Sequence, residues 1–178
     1  MYPVLRMTKE MARARRMGPL DPEGTHVSYH RCWPWDIDMF LELNNGRTLT
    51  LYDLGRVPLA QRTGFLAALR TGGWSMTMAG AMVRYRRRVR PFASLRMTSR
   101  LACWDHRFFY LEQTMWLASG EAANNCVYRA AVVGKDGIVP PQTVAEVMGH
   151  AAPSPEVPAW IAAWVAAEDL RPWPPVET

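Results

Sequence analysis

The sequence predicts an α+β domain in which an antiparallel sheet of about five strands wraps around one long central helix, with a further helix near the C-terminus. Three observations carry this. A helical apolar pattern opens after a pair of asparagines at Asn44 and Asn45. A succession of alternating, β-branched and aromatic stretches separated by turn residues follows it. The length, 178 residues, suits one hydrophobic core and would crowd two.

Residues 1–24 read as a basic arm, helical over Thr8 to Met17 and closed by the turn-rich GPLDPEG. The compact domain spans 25–140 and starts with a strand in THVSYHRCW, with Val27 and Tyr29 on one face and His26, Ser28 and His30 on the other. PWDIDMFLELNN breaks that strand. Asn44 or Asn45 then caps the central helix, which sets Leu51, Leu54 and Leu59 on roughly one face and continues, past a kink at Pro58, through FLAALR to Gly72 and Gly73.

WSMTMAGAMVRYRRRV is a long strand, apolar on both faces at its start, with a bulge expected at Gly80. ASLRMTSRLACW alternates, with Leu95, Met97, Leu101 and Cys103 inward and Arg96, Thr98 and Arg100 outward. Asp105 supplies the next turn. RFFYLEQTMWLA and EAANNCVYRAAVV form a further pair joined near Ser119 and Gly120, and Lys135, Asp136 and Gly137 close the sheet. The C-terminal extension, 141–178, holds an amphipathic helix in PEVPAWIAAWVAAEDL, with Val157, Trp160, Ile161, Trp164 and Val165 expected to dock on the body.

Composition narrows the function classes. With 49% apolar and 21% charged residues the chain is globular rather than disordered. Cys32, Cys103 and Cys126 are odd in number and widely spaced, which points to a reduced, cytoplasmic setting and away from a zinc site. The histidines form no spaced ligand set, so no metal is expected. The first segment lacks the unbroken apolar stretch of a signal peptide or membrane span. The net charge of +5 is concentrated in the arm and in RYRRRVR, which implies an anionic partner. Without zinc-finger spacing, a ribonucleoprotein motif or a helix-turn-helix, a phosphorylated small molecule fits at least as well as nucleic acid.

The segment DIDMFLELNNGRTLTLYDLGR, Asp36 to Arg56, resembles the pattern of the hotdog-fold acyl-CoA thioesterases: D-x-D, a short loop, N-N, then a helix carrying an acid and an A/G-R pair. The likeness continues through RYRRRVRPF, LACWDHRFFYLEQTMW and PEVPAWI, nearest the branch called thioesterase superfamily member six. The resemblance implies a hotdog fold, a homodimer or dimer of dimers with the site between subunits, and hydrolysis of an acyl thioester with coenzyme A as part of the substrate and no other cofactor.

It also places Asp38 where several members keep a catalytic carboxylate, a group able to act as nucleophile or as base toward water. Helix-start amides around Asn44, Asn45, Gly46 and Arg47 would polarise the carbonyl oxygen. Taken alone, Asp36 and Asp38 fit the ordinary duty of loop aspartates, which end strands and accept backbone donors. Glu42 stands where many relatives have His, and Thr48 where many have an aromatic residue. Glu42 is therefore a candidate second carboxylate, Thr48 a candidate substrate contact, and both departures favour the alternative of a non-catalytic acyl-CoA or lipid-binding protein. Asp53 is a further catalytic candidate, against the plain reading of an i, i+3 pair with Arg56. Arg84, Arg86 and Arg88, alternating on one face of their strand with Arg87 on the other, suit coenzyme A phosphates or, equally, solvated protection of a strand edge.

Overall fold

The structure, a computed structural model, describes residues 2–175. In chain order it contains helix α1 (Val4–Met17), strand β1 (His26–Arg31), a short 3-10 turn (Pro34–Asp36), helices α2 (Asn45–Arg62) and α3 (Phe65–Gly72), strands β2 (Ser75–Tyr85), β3 (Ser94–Trp104), β4 (Phe109–Leu117), β5 (Ala122–Gly134) and β6 (Gly137–Val139), and helices α4 (Pro141–Val147) and α5 (Ala159–Leu170). The strands form one antiparallel sheet in the order β1-β3-β4-β5-β2, with β6 paired to β5, and this sheet curls around α2 as the hotdog fold requires.

Burial of apolar side chains seats α2. Leu51 and Leu54 are sealed from water against Met97, Met115 and Cys126 of the sheet, and each such leucine contributes about 1.5–3 kcal/mol. Gly55 sets the closest approach, since a Cβ there would lie 2.5 Å from Ser99 Oγ and 2.6 Å from Met97 Sδ. Under this contact Gln113 Nε2 donates to Ser99 Oγ at 2.7 Å and to the Tyr52 carbonyl at 2.9 Å, while its Oε1 is buried without a hydrogen-bond partner.

The opposite face of the sheet, carrying Cys103, Tyr110 and Val127, is covered by α5 through Ile161 and Trp164. Gly80 sits at the expected bulge, where the β2 register shifts, and leaves room for the Trp164 ring. All three cysteines are free and buried. Among the described residues no helix is long and apolar enough to cross a membrane.

Several expectations are corrected. The first helix begins at Val4 rather than Thr8, and it lies against α2 with Ala14 and Glu10 buried. In β1, by contrast, the predicted faces hold, with His26 and Ser28 buried and Tyr29 exposed. FLAALR does not continue the central helix: α2 stops at Arg62 and Gly64, at φ 83°, starts a separate helix. The arginine run does not alternate along a strand, because β2 ends at Tyr85 and the amides of Arg86 and Arg87 both donate to the Ala123 carbonyl. In α5, Trp160 stays half exposed and Val157 lies ahead of the helix, so docking falls to Ile161, Trp164 and Val165.

Candidate active site

Between β1 and α2 the chain makes a narrow hairpin, bridged at Ile37 and Leu43 and tightened by the Asp38 amide donating to the Glu42 carbonyl at 2.9 Å. Asn44 then caps α2, its Oδ1 accepting from the Arg47 amide at 3.1 Å. The amides of Asn45 and Gly46 precede any carbonyl within the helix that they could reach, and they carry the positive end of its dipole. Thr48, fully buried, donates its hydroxyl to the Asn44 carbonyl at 3.2 Å and closes the first turn.

Asp36 anchors this entrance. Its buried carboxylate accepts from Arg6 at 2.8 Å, from Arg47 Nη2 at 2.6 Å and Nε at 3.1 Å, and from the Trp33 amide at 3.1 Å. Burial alone would push the Asp36 carboxyl up; the hydrogen bonds from Arg47 and Arg6 outweigh that and hold it below the usual carboxylate range. One charge therefore ties α1, the 3-10 turn and α2 together. The Arg47 guanidinium, a candidate substrate contact, is engaged in this tie.

A cleft of about 270 Å³ opens beside the helix start. It brings together Glu42, Asn45, Thr48, Arg86 and Arg88 of the candidate residues, with Arg87 added from the same run. Glu42 is half-buried and its Oε2 lies 3.3 Å from Arg88 Nε. Asp38 is not among the residues that line the cleft; its Oδ1 accepts from the Phe40 amide at 2.9 Å, as an aspartate that shapes a turn does. Arg84 is exposed on β2, outside the lining. Asn44 and Gly46 flank the cleft in sequence without lining it.

Asp53 lies about 12 Å further along α2 by helical rise. It pairs with Arg56, whose guanidinium carbon stands 3.9 Å over the Tyr128 ring. It is also a hydrogen-bond partner of Tyr2, whose hydroxyl is pushed up by burial and then by Asp53.

Two lining residues escaped sequence reading. Tyr85 and Asn124 are register partners across β2 and β5 and both face the cleft. Burial pushes the Tyr85 hydroxyl up, and Asn124 Oδ1 accepts from the Tyr52 hydroxyl at 2.5 Å. The available signal was the polar pair Asn124 and Asn125 set inside an otherwise apolar strand. A second, apolar pocket of about 40 Å³ lies near the far end of α2, among Leu59, Phe65, Met76, Leu101 and Phe109, with Arg56 at its wall. Among the described residues no group of His, Cys, Asp and Glu is placed to hold a metal ion.

Residues 32–165 match the sequence profile of the thioesterase-like superfamily. The chain belongs to that superfamily. It is 31% identical over 137 residues to Protein THEM6 of Xenopus laevis, covering 76% of this chain and 65% of the frog protein, and 28% identical over 150 residues to Protein THEM6 of Drosophila melanogaster, covering 82% and 75%. The fold is similar to that of YbaW, a probable thioesterase of Escherichia coli, at a TM-score of 0.65 and 15% identity over 70% of this chain and 97% of that one. It is also similar to a hypothetical protein of Staphylococcus aureus solved in complex with CoA, at a TM-score of 0.59 and 9% identity over 81% and 96%. Superfamily membership thus agrees with the resemblance carried by Asp36 to Arg56, and the structural likeness agrees with the predicted architecture.

Proposed function

We propose that this protein is an acyl-CoA thioesterase whose working carboxylate is Glu42. The observation that carries the reading is the cleft itself, where a carboxylate, the first residue of a helix and three arginines converge. Arg86, Arg87 and Arg88 suit the phosphates of coenzyme A, and the Asn45 amide at the start of α2 suits the oxygen of a thioester carbonyl. Glu42 takes a proton from water as that water attacks the carbonyl carbon. The tetrahedral intermediate expels the coenzyme A thiolate, which receives the proton, and the free acid leaves. Asp38 shapes the turn that presents Glu42. No metal or redox cofactor enters, since the thioester is already activated. The CoA-bound structural neighbour supports the substrate class.

The assembly is a homodimer, or a dimer of such dimers, formed through β2. This eleven-residue strand is an edge of the sheet, pairs only with β5, and exposes Met78, Ala79 and Ala81. An unprotected apolar edge of this length invites a second copy. The cleft borders the Tyr85 end of the same strand, so the partner would stand beside it.

A non-catalytic acyl-CoA or lipid-binding protein is the second reading, favoured by Asp38 facing its own turn and by the ion pair that engages Glu42. Release of free thiol from a panel of acyl-CoAs separates the two. The hydrolase predicts turnover that falls by about 10²–10⁴-fold in Glu42→Gln and persists in Asp53→Asn. Tight binding of acyl-CoA without thiol release decides for the binding protein.

A further inference from the structure

The end of the molecule that carries the cleft also carries a group of exposed apolar side chains. Met39, Phe40 and Leu41 form the tip of the hairpin before α2, and Met39 and Phe40 expose 87% and 69% of their surface. Trp35, 67% exposed, stacks on Trp33 at 5.3 Å between ring centroids, and Phe92 meets the same Trp33 edge-on at 6.2 Å. Five large apolar side chains set in water in one region mark a surface that something else covers. Leu41 and Phe92 are moreover held at φ 57° and 64°, a left-handed backbone that bulky residues avoid unless the surrounding frame imposes it.

The charges around this tip decide what covers it. The Leu43 amide donates to the Val89 carbonyl and Glu42 pairs with Arg88, which fixes the arginine run alongside the hairpin. Arg84, Arg86, Arg87, Arg88 and Arg90 are all exposed. The acids paired with this run are Glu42, with Arg88, and Glu121, with Arg87. A second copy docked on this tip, with its two-fold axis passing through it, would set the arginine row against its own image, like charge against like. A lipid surface with anionic headgroups offers the opposite sign and an apolar interior at the depth the hairpin tip reaches.

We infer that the tip, Met39 to Leu41 with Trp35 and Phe92, inserts into the interface of an anionic membrane surface, with Arg84 and Arg90, which lie outside the cleft, against the headgroups. The mouth of the cleft then faces the layer in which long acyl chains partition. This goes beyond the hydrolase reading and does not depend on it, because vesicle binding requires no turnover.

The test is co-sedimentation of the whole chain with phosphatidylcholine vesicles, with and without phosphatidylserine. Binding is expected only with phosphatidylserine and is expected to weaken as salt is raised. The double variant Met39→Ser, Phe40→Ser is expected to lose it, while Arg84→Gln and Arg90→Gln, outside the cleft, each weaken it about fivefold. The native cysteines are buried, so an environment-sensitive dye can be placed on Met39→Cys alone; a blue shift on phosphatidylserine vesicles is expected. No vesicle binding by the wild type, undiminished binding by the double variant, or an unmoved dye overturns the inference. So does a tip variant that abolishes self-association in sedimentation velocity while the wild type ignores vesicles, which would assign the tip to a second copy.

Discussion

The Asp36 tie and the Glu42 cleft are six residues apart in sequence and use their charges in opposite ways. At Asp36 a sealed carboxylate meets two guanidiniums, and the three groups hold one another in place. At Glu42 a half-buried carboxylate meets one exposed arginine beside an open volume and a helix start. Asp38 stands between them and belongs to neither, occupied with the turn that separates them. Within one short motif, then, one acid is structural, one shapes the loop, and the third borders the cleft.

This contrast predicts its largest effect at the tie. Asp36→Ala leaves Arg6 and Arg47 without their shared counter-ion and is expected to cost about 3–5 kcal/mol, read from the shift in urea midpoint. The pH dependence has a definite sign. A carboxyl held below its ordinary value contributes stability above that value and loses it as pH falls through the lowered one. Asp36→Asn is therefore expected to flatten the acid limb of the stability profile.

Gly55→Ala comes next. Its methyl group would meet Ser99 and Met97 well inside contact distance, and the overpacking is expected to cost about 1–3 kcal/mol. His26 provides a third test. Burial first, then Arg62 and Arg13, lowers its pKa to about 4 from 6.5. The stability it contributes is fully present above the unfolded value and is lost as pH falls through the lowered one, so His26→Gln is expected to remove a decline between about pH 6.5 and 4. Denaturation midpoints across that range check it. The smallest effect is expected at Asp53→Asn, about 1 kcal/mol for a pair on one helix face, with thiol release near the wild-type rate.

The architecture was legible where local pattern and global packing agree. Alternation in ASLRMTSRLACW marked β3, a lone glycine in an apolar strand marked the β2 bulge, and paired asparagines marked the start of α2. The break at Gly64 was not, because FLAALR keeps a helical apolar pattern while only the left-handed glycine ahead of it reveals the change of direction. Site geometry was legible only in part. Sequence places Glu42, Asn45 and Thr48 together because they are close along the chain. Tyr85 and Asn124 join them through strand pairing across a long interval, and the polar pair Asn124 and Asn125 marks one partner without revealing the other. The division of labour between Asp36 and Asp38 was likewise hidden, since it depends on Arg6 arriving from α1.

The most direct measurement is a crystal structure with a non-hydrolysable thioether analogue of an acyl-CoA. The account predicts the acyl oxygen within hydrogen-bond reach of the Asn45 amide, a water between the acyl carbon and Glu42, and phosphates against Arg86 to Arg88. An acyl group seated beside Asp53 and Arg56, with the cleft at Glu42 left to solvent, would contradict it.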